Sequence, residues 1–170
     1  LRPAHEPDIP AIGAINAHYV LNTVLTFRYV PPTHEQLLQD FRSVQEEGLP
    51  YNVAVESASD TVVGYCYATR FRPPKLGYKP TVELSLYCDP RCVMKGIGSM
   101  LMGEVLRRLR EVGADKSGEG NKSKGDGAVR NVIACMSVDG TGPGNGMALT
   151  RFYERFGFEE VGWLKGVGYK

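Results

Sequence analysis

One stretch narrows the folds open to this chain more than any other, the run from Thr81 to Gly113. Thr81 to Cys88 alternates in character. At the two-residue period of a strand this puts Val82, Leu84, Leu86 and Cys88 on one face and Glu83, Ser85 and Tyr87 on the other. Asp89 to Gly98 follows as a turn. Ile97, Leu101, Val105 and Leu109, joined by Met102 and Leu106, then recur at helical spacing, with Glu104, Arg107, Arg108 and Glu111 off the stripe. Gly113 fits a helix stop. A strand that passes through a glycine turn into an amphipathic helix predicts a chain of mixed helix and sheet.

The rest of the sequence agrees. Leu1 to Ala4 reads as the end of a first strand. Asp8 is a candidate N-cap, and Ile12, Ile15 and Tyr19 carry a helix to about Leu21. Thr23 to Val30 reads as irregular or extended. Thr33 to Gln36 has the form of a capping box for a second helix with Leu37, Phe41 and Val44 on its apolar face, ended by Gly48 and Pro50. Tyr51 to Glu56 and Thr61 to Phe71 read as strands about a turn at Ser59-Asp60. Asp115 to Ala128 has nothing to bury and reads as a mobile surface loop. Asn131 to Val138 reads as a strand and Gly140 to Gly146 as a second glycine loop. Asn145 to Phe156 reads as a short helix, and Phe158 to Leu164 as the start of a last strand. No linker or repeat divides residues 1–170, so they are expected to form one domain.

Composition removes several function classes. Among 170 residues, 20 Lys+Arg stand against 19 Asp+Glu. That balance argues against a nucleic-acid binder, which needs a basic excess or stripe. No apolar run reaches the roughly 18 residues of a membrane span, and no signal peptide is visible. Cys66, Cys88, Cys92 and Cys135 form no C-x-x-C pair and have no zinc spacing with His5, His18 or His34, so no metal is expected. Cys66, Cys88 and Cys135 fall in apolar, strand-like runs and read as buried, reduced thiols of a cytoplasmic protein. No Ser or Cys nucleophile has an evident histidine partner, which argues against a catalytic triad.

The turn at Met94-Lys95-Gly96-Ile97-Gly98-Ser99 carries chemistry of its own. Successive backbone N–H groups point toward one spot, and the following helix adds its partial positive charge, so a pyrophosphate can be held there. Gly96 and Gly98 keep side chains out of the approach. Taken alone, such a turn is equally a tight connection whose glycines serve packing.

The segment resembles motif A of the GNAT N-acetyltransferase superfamily. The likeness extends to its phosphinothricin and methionine sulfoximine acetyltransferase-like branch. Leu1-Arg2-Pro3-Ala4, Asn16-Ala17-His18-Tyr19-Val20 with Thr26-Phe27, Phe71-Arg72 with Tyr78 and Thr81-Val82-Glu83, and Asn145 with Phe152-Tyr153 and Gly157-Phe158 follow the branch in order. The resemblance implies an α/β (α+β) GNAT fold. Its central sheet would be mixed, mostly antiparallel, of six to seven strands splayed at the fourth and flanked by about four helices. It implies transfer of the acetyl group of acetyl-CoA to the primary amine of a small amino-acid-like acceptor, by direct attack and without metal. The pantetheine arm would lie along Leu86, Tyr87 and Cys88 and meet Asn145, and the pyrophosphate would sit on Met94, Lys95, Gly96, Ile97, Gly98 and Ser99. Glu83 is the implied general base and Tyr153 the implied acid toward the CoA sulfur. Phe27, Arg72 and Tyr78 are implied acceptor contacts, and a homodimer is implied. Other readings of the residues are a solvated Glu83, a core Tyr153 and an Asn145 that only caps its helix. Val93 stands where the family usually has Gln or Arg, residues 115–128 and 140–144 are insertions, and the last strand is expected to be missing or truncated. A non-catalytic acyl-CoA-binding module and an enzyme acting on a protein or peptide amine are the alternatives.

Overall fold

The computed structural model describes residues 1–93, 95–112, 127–142 and 144–170. Among them five strands form one sheet in the order β1-β2-β3-β4-β5. These are β1 (Arg2–Pro3), β2 (Tyr51–Glu56), β3 (Thr61–Arg70), β4 (Thr81–Cys88) and β5 (Asn131–Ile133). The first four pair antiparallel and β5 joins β4 in parallel. A parallel neighbour needs a long crossover, and the helix α3 (Ile97–Glu111) lies within it. Helices α1 (Ile9–Asn22) and α2 (His34–Glu46) precede β2, and α4 (Ala148–Glu154) follows β5.

The sheet carries a helix layer on each face. Cys66 of β3 donates its thiol to the Leu101 carbonyl of α3 at 3.4 Å, while its neighbour Tyr65 accepts from Asn16 of α1 at 3.1 Å. By strand alternation, Val82, Leu84, Leu86 and Cys88 of β4 face α3, and Glu83, Ser85 and Tyr87 face α1 and α2. Gly64 lets α3 come close: a Cβ there would stand 3.0 Å from Leu101 Cδ1 and 3.2 Å from Ile97 Cγ2. The stripe read from the sequence is the one buried, with Ile97, Leu101, Met102, Val105 and Leu109 all in the core. Each such side chain contributes about 1.5–3 kcal/mol by leaving water.

Local signals hold where side chains cap the backbone. Gln36 N–H donates to Thr33 Oγ1 at 3.3 Å and Thr33 N–H to Gln36 Oε1 at 2.9 Å, the capping box expected for α2. Asp8 does not cap α1 through its side chain. Its carboxylate accepts from both Arg2 Nη atoms at 2.7 and 2.8 Å and from His5 N–H at 2.8 Å, tying β1 to the turn before the helix.

Four expectations are corrected. The sheet has five strands among the described residues and not six or seven. β5 ends at Ile133 and not Val138, because the chain from Ala134 on leaves the β4 ladder. Residues 158–164 form no strand, and Val161, Trp163 and Leu164 are exposed: the three-residue edge of β5 offers them little to pair with. Finally, α4 begins at Ala148 and ends at Glu154. Gly144, Asn145 and Gly146 all hold positive φ, which no right-handed helix accommodates, so Asn145 is not its N-cap. Gly113 and all but Gly127 and Ala128 of the expected loop 115–128 lie outside the described residues.

Candidate active site

The site grows from one property of β4: it is paired along its whole length on one side and along only part of it on the other. Toward β3 the register runs from Arg70↔Val82 to Gly64↔Cys88. Toward β5 it stops at Glu83↔Ile133. Past that rung no described strand pairs with β4 on this side, and its edge stands open as a crevice. This is the splay expected at the fourth strand.

The antiparallel alternation decides which backbone groups face the crevice. Phe71 N–H donates to Thr81 C=O at 3.0 Å and Asp89 N–H to Val63 C=O at 2.8 Å. Hydrogen-bonded pairs recur every second residue, so residues 81, 83, 85, 87 and 89 spend their backbone groups on β3. Leu86 and Cys88 turn theirs to the open edge. Of the three residues expected to meet the cosubstrate arm, Tyr87 thus points its backbone away from it. The Cys88 carbonyl accepts from the Tyr19 hydroxyl at 2.7 Å, which ties the end of β4 to α1 and leaves the Cys88 N–H and both Leu86 groups on the edge.

At the far end of β4 the chain turns into α3. Asp89, buried, accepts from Arg91 N–H at 2.9 Å and from its guanidinium at 3.0 and 2.6 Å, so Arg91 is bound to Asp89 and not aimed at the turn. Met94 lies outside the described residues, and Lys95 is exposed. Gly96 holds φ +79° and caps α3. The first bond that closes the helix runs from Met100 N–H to Gly96 C=O at 3.1 Å, so the Ile97, Gly98 and Ser99 N–H groups have no intrahelical partner. The Ile97 side chain is buried, which leaves its N–H as what it can offer a ligand. A Cβ on Gly98 would face inward, 3.7 Å from Cys88 Sγ and Phe152 Cζ and 3.8 Å from Leu86 Cδ2.

Helix α4 closes the crevice. Phe152 reaches Gly98 on the α3 side. Tyr153 lies within electrostatic reach of Tyr87 and Cys135 on the other. Burial pushes the Tyr153 phenol above its ordinary pKa, and pushes Tyr87 up to about 12, so both are protonated at neutral pH. Glu83 is half-buried on the same face. The crevice thus brings together Glu83, Tyr153, Leu86, Cys88 and the start of α3.

The other expected residues lie on other segments. Arg72, with φ +51°, lays its guanidinium 5.1 Å over the Phe71 ring, and Tyr78 meets that ring edge-on at 5.5 Å. This cluster follows the β3 end opposite the start of β4. Phe27 lies on the exposed α1–α2 connection, its ring against Gly168, and Lys170 donates to the Val20 and Thr26 carbonyls nearby. Asn145 is exposed in the turn before α4.

Sequence reasoning missed two residues. The sequence places Tyr19 on a helix face and in the resemblance to the branch; it does not show that Tyr19 fixes the end of β4. Cys135 was expected to be buried. It is the exposed thiol of the four free cysteines, while Cys66 is buried and its thiol pushed up to about 12. A parallel register for β4 and β5 was the signal that would have found it. Among the described residues no group of three or more His, Cys, Asp or Glu is placed to hold a metal, and no helix is long and apolar enough to cross a membrane.

An open strand edge beside a helix N-terminus can hold an extended arm that ends in a pyrophosphate. The chain matches the acetyltransferase (GNAT) family over residues 18–124 and belongs to that family. As a member it is an acyltransferase that takes acetyl-CoA as cosubstrate. A phosphinothricin N-acetyltransferase of Alcaligenes faecalis is 32% identical over 170 residues, covering 100% of this chain and 75% of that protein. The crystal structure of a phosphinothricin acetyltransferase from Sinorhizobium meliloti in complex with AcCoA superposes with a TM-score of 0.82 at 30% identity, covering 99% of this chain and 79% of that one. A ribosomal-protein-alanine N-acetyltransferase from Brucella melitensis superposes with a TM-score of 0.81, also at 30% identity, over 99% of this chain and 90% of that one.

Proposed function

We propose that this chain acetylates the primary amine of a small amino-acid-like acceptor of the phosphinothricin or methionine sulfoximine type, by direct attack on acetyl-CoA. The observation that carries the reading is the β4 crevice, with Glu83 on its wall and the Leu86 backbone groups and the Cys88 N–H on its open edge. In this reading the Leu86 and Cys88 groups hold the amides of the pantetheine arm as a strand partner would, and Asn145 meets the same arm. The N–H groups of Ile97, Gly98 and Ser99 hold the pyrophosphate beside Met94, Lys95 and Gly96. Glu83 takes the proton of the acceptor ammonium, and Tyr153, protonated, donates toward the sulfur as it leaves. Arg72 and Tyr78 face the acceptor, with Phe27 on the other side. A homodimer in a reducing cytosol belongs to the same reading; the four unpaired cysteines support the compartment.

The likeness to an enzyme named for a ribosomal protein's alanine favours a second reading, acetylation of a protein N-terminus. Release of free CoA, followed over a panel of amino acids that includes phosphinothricin and methionine sulfoximine and over alanine-initiated peptides, decides between them. Turnover on the amino acids is expected. Turnover on the peptides alone overturns the acceptor assignment, and acetyl-CoA binding without release on any amine overturns catalysis.

A further inference from the structure

One carboxylate governs how the chain leaves β4. Asp89 is 5% exposed, and each of its polar groups is bonded inside the protein. Its N–H donates to the Val63 carbonyl of β3 at 2.8 Å, and its carbonyl accepts from Cys92 N–H at 2.8 Å. Its Oδ1 accepts from Arg91 N–H at 2.9 Å and from Arg91 Nε at 3.0 Å, and its Oδ2 accepts from Arg91 Nη2 at 2.6 Å. Pro90, whose ring fixes φ, opens a single 3-10 turn, Pro90–Cys92. The Arg91 side chain that closes round the carboxylate is itself 82% exposed. What this cluster fixes is the direction of the chain between strand and helix.

That connection joins the two halves of the cosubstrate site. The Cys88 N–H, on the open edge of β4, immediately precedes Asp89, and the Ile97, Gly98 and Ser99 N–H groups open α3. At the α3 end Ile97 is held in the core, and at the β4 end the bonds of Asp89 hold the chain. A ligand gripped in two places gains from the second grip only where their spacing matches its own length. We propose that Asp89 is a positioning residue for acetyl-CoA: its carboxylate, closed on the Arg91 N–H and guanidinium, sets the β4 edge at the distance from the start of α3 that lets one cosubstrate span both. The inference rests on the docking given above, with the pantetheine arm on the edge and the pyrophosphate on α3. Asp89 has no group left for the cosubstrate, so it acts through the backbone on either side of it. Arg91 holds the carboxylate and not the phosphates.

The test compares acetyl-CoA with S-acetylpantetheine, which carries the same thioester and arm but ends before the pyrophosphate. kcat/KM for each is measured with the best amine from the panel, for the wild type, D89A, D89N and R91A. The ratio of the two measures the gain from spanning both places. In D89A the ratio is expected to fall about 10- to 100-fold, the size of a misplacement of about 1 Å. Its kcat/KM with S-acetylpantetheine and its kcat at saturating acetyl-CoA stay within about twofold. D89N, whose amide oxygen still accepts from the Arg91 N–H, recovers most of the ratio. R91A keeps that bond and loses about threefold to tenfold, the size of one hydrogen bond. D89A leaves Arg91 in water and buries no lone charge, so it is expected to fold; if it melts below the assay temperature, R91A carries the test, and an unchanged ratio there overturns the proposal. Four results with D89A do the same: a wild-type ratio, a loss that falls equally on both thioesters, a D89N as impaired as D89A, or a ratio that rises, which would make the freed Arg91 the phosphate ligand. The wild type separates this from the reading beneath it. A wild-type ratio near one removes the pyrophosphate site itself, whereas a large ratio kept in D89A removes only the role of Asp89.

Discussion

Replacing Gly96 by alanine should destabilise the protein, whereas the same change at Gly98 should not. Gly96 holds φ +79° with nothing within 4 Å of where a Cβ would stand, so alanine meets no wall there. The cost is conformational, about 1–2 kcal/mol for an L-residue held left-handed. The stiffer unfolded chain offsets about 0.4–1 kcal/mol of it. The net loss is roughly 1 kcal/mol, which lowers Tm by about 2–4 °C in a chain of this size. Gly98 lies in the first turn of α3, and its added Cβ would make ordinary contacts at 3.7–3.8 Å. Alanine there should raise stability by up to about 1 kcal/mol, the helix-propensity gain over glycine. Asparagine, which tolerates the left-handed region better than alanine, should make G96N intermediate. Thermal melts of the three variants, confirmed by urea titration, give the order. A G96A protein that melts with or above the wild type, or a G98A that melts below G96A, refutes the turn geometry from which the cosubstrate site was built.

Other perturbations test other joints. Asp8 is held below its ordinary pKa by its bonds to Arg2, so its contribution is present above the unfolded value near 3.9 and is lost as pH falls below it. D8N should cost about 1–2 kcal/mol at pH 7 and flatten the acid limb of a stability-against-pH curve; an unchanged acid limb refutes that role. Y19F leaves the Cys88 carbonyl without its donor and should cost about 1 kcal/mol in urea denaturation. A neutral Y19F would show that the carbonyl finds another partner. Y153F should lower kcat by about 10- to 100-fold with little change in acetyl-CoA affinity by calorimetry, and equal losses in both would make Tyr153 a packing residue.

What the sequence made legible followed from periodicity and capping. The alternation of Thr81 to Cys88, the stripe of α3 and the Thr33–Gln36 box depend on near neighbours, and the structure holds all three. The errors lie where distant pairing decides. Asn131 to Val138 has the composition of a strand throughout, but only its first three residues find β4. Phe158 to Leu164 is β-prone and finds no strand partner among the described residues. Asn145 has a good capping side chain, but the glycines on either side let the backbone turn left-handed before α4 begins. Cys135 shows the same limit at the site. An apolar run suggested burial, and only the early end of β5 exposes its thiol beside Glu83.

The central claim is that β4 offers its open edge, at Leu86 and Cys88, to acetyl-CoA. Residue-resolved amide hydrogen exchange with and without acetyl-CoA tests it most directly. The Tyr87 amide, committed to β3, should be protected in both states, while those of Leu86 and Cys88 should exchange quickly in the free protein and slow on addition of the cosubstrate. Exchange at Leu86 and Cys88 that ignores acetyl-CoA while the protein demonstrably binds it would contradict the account.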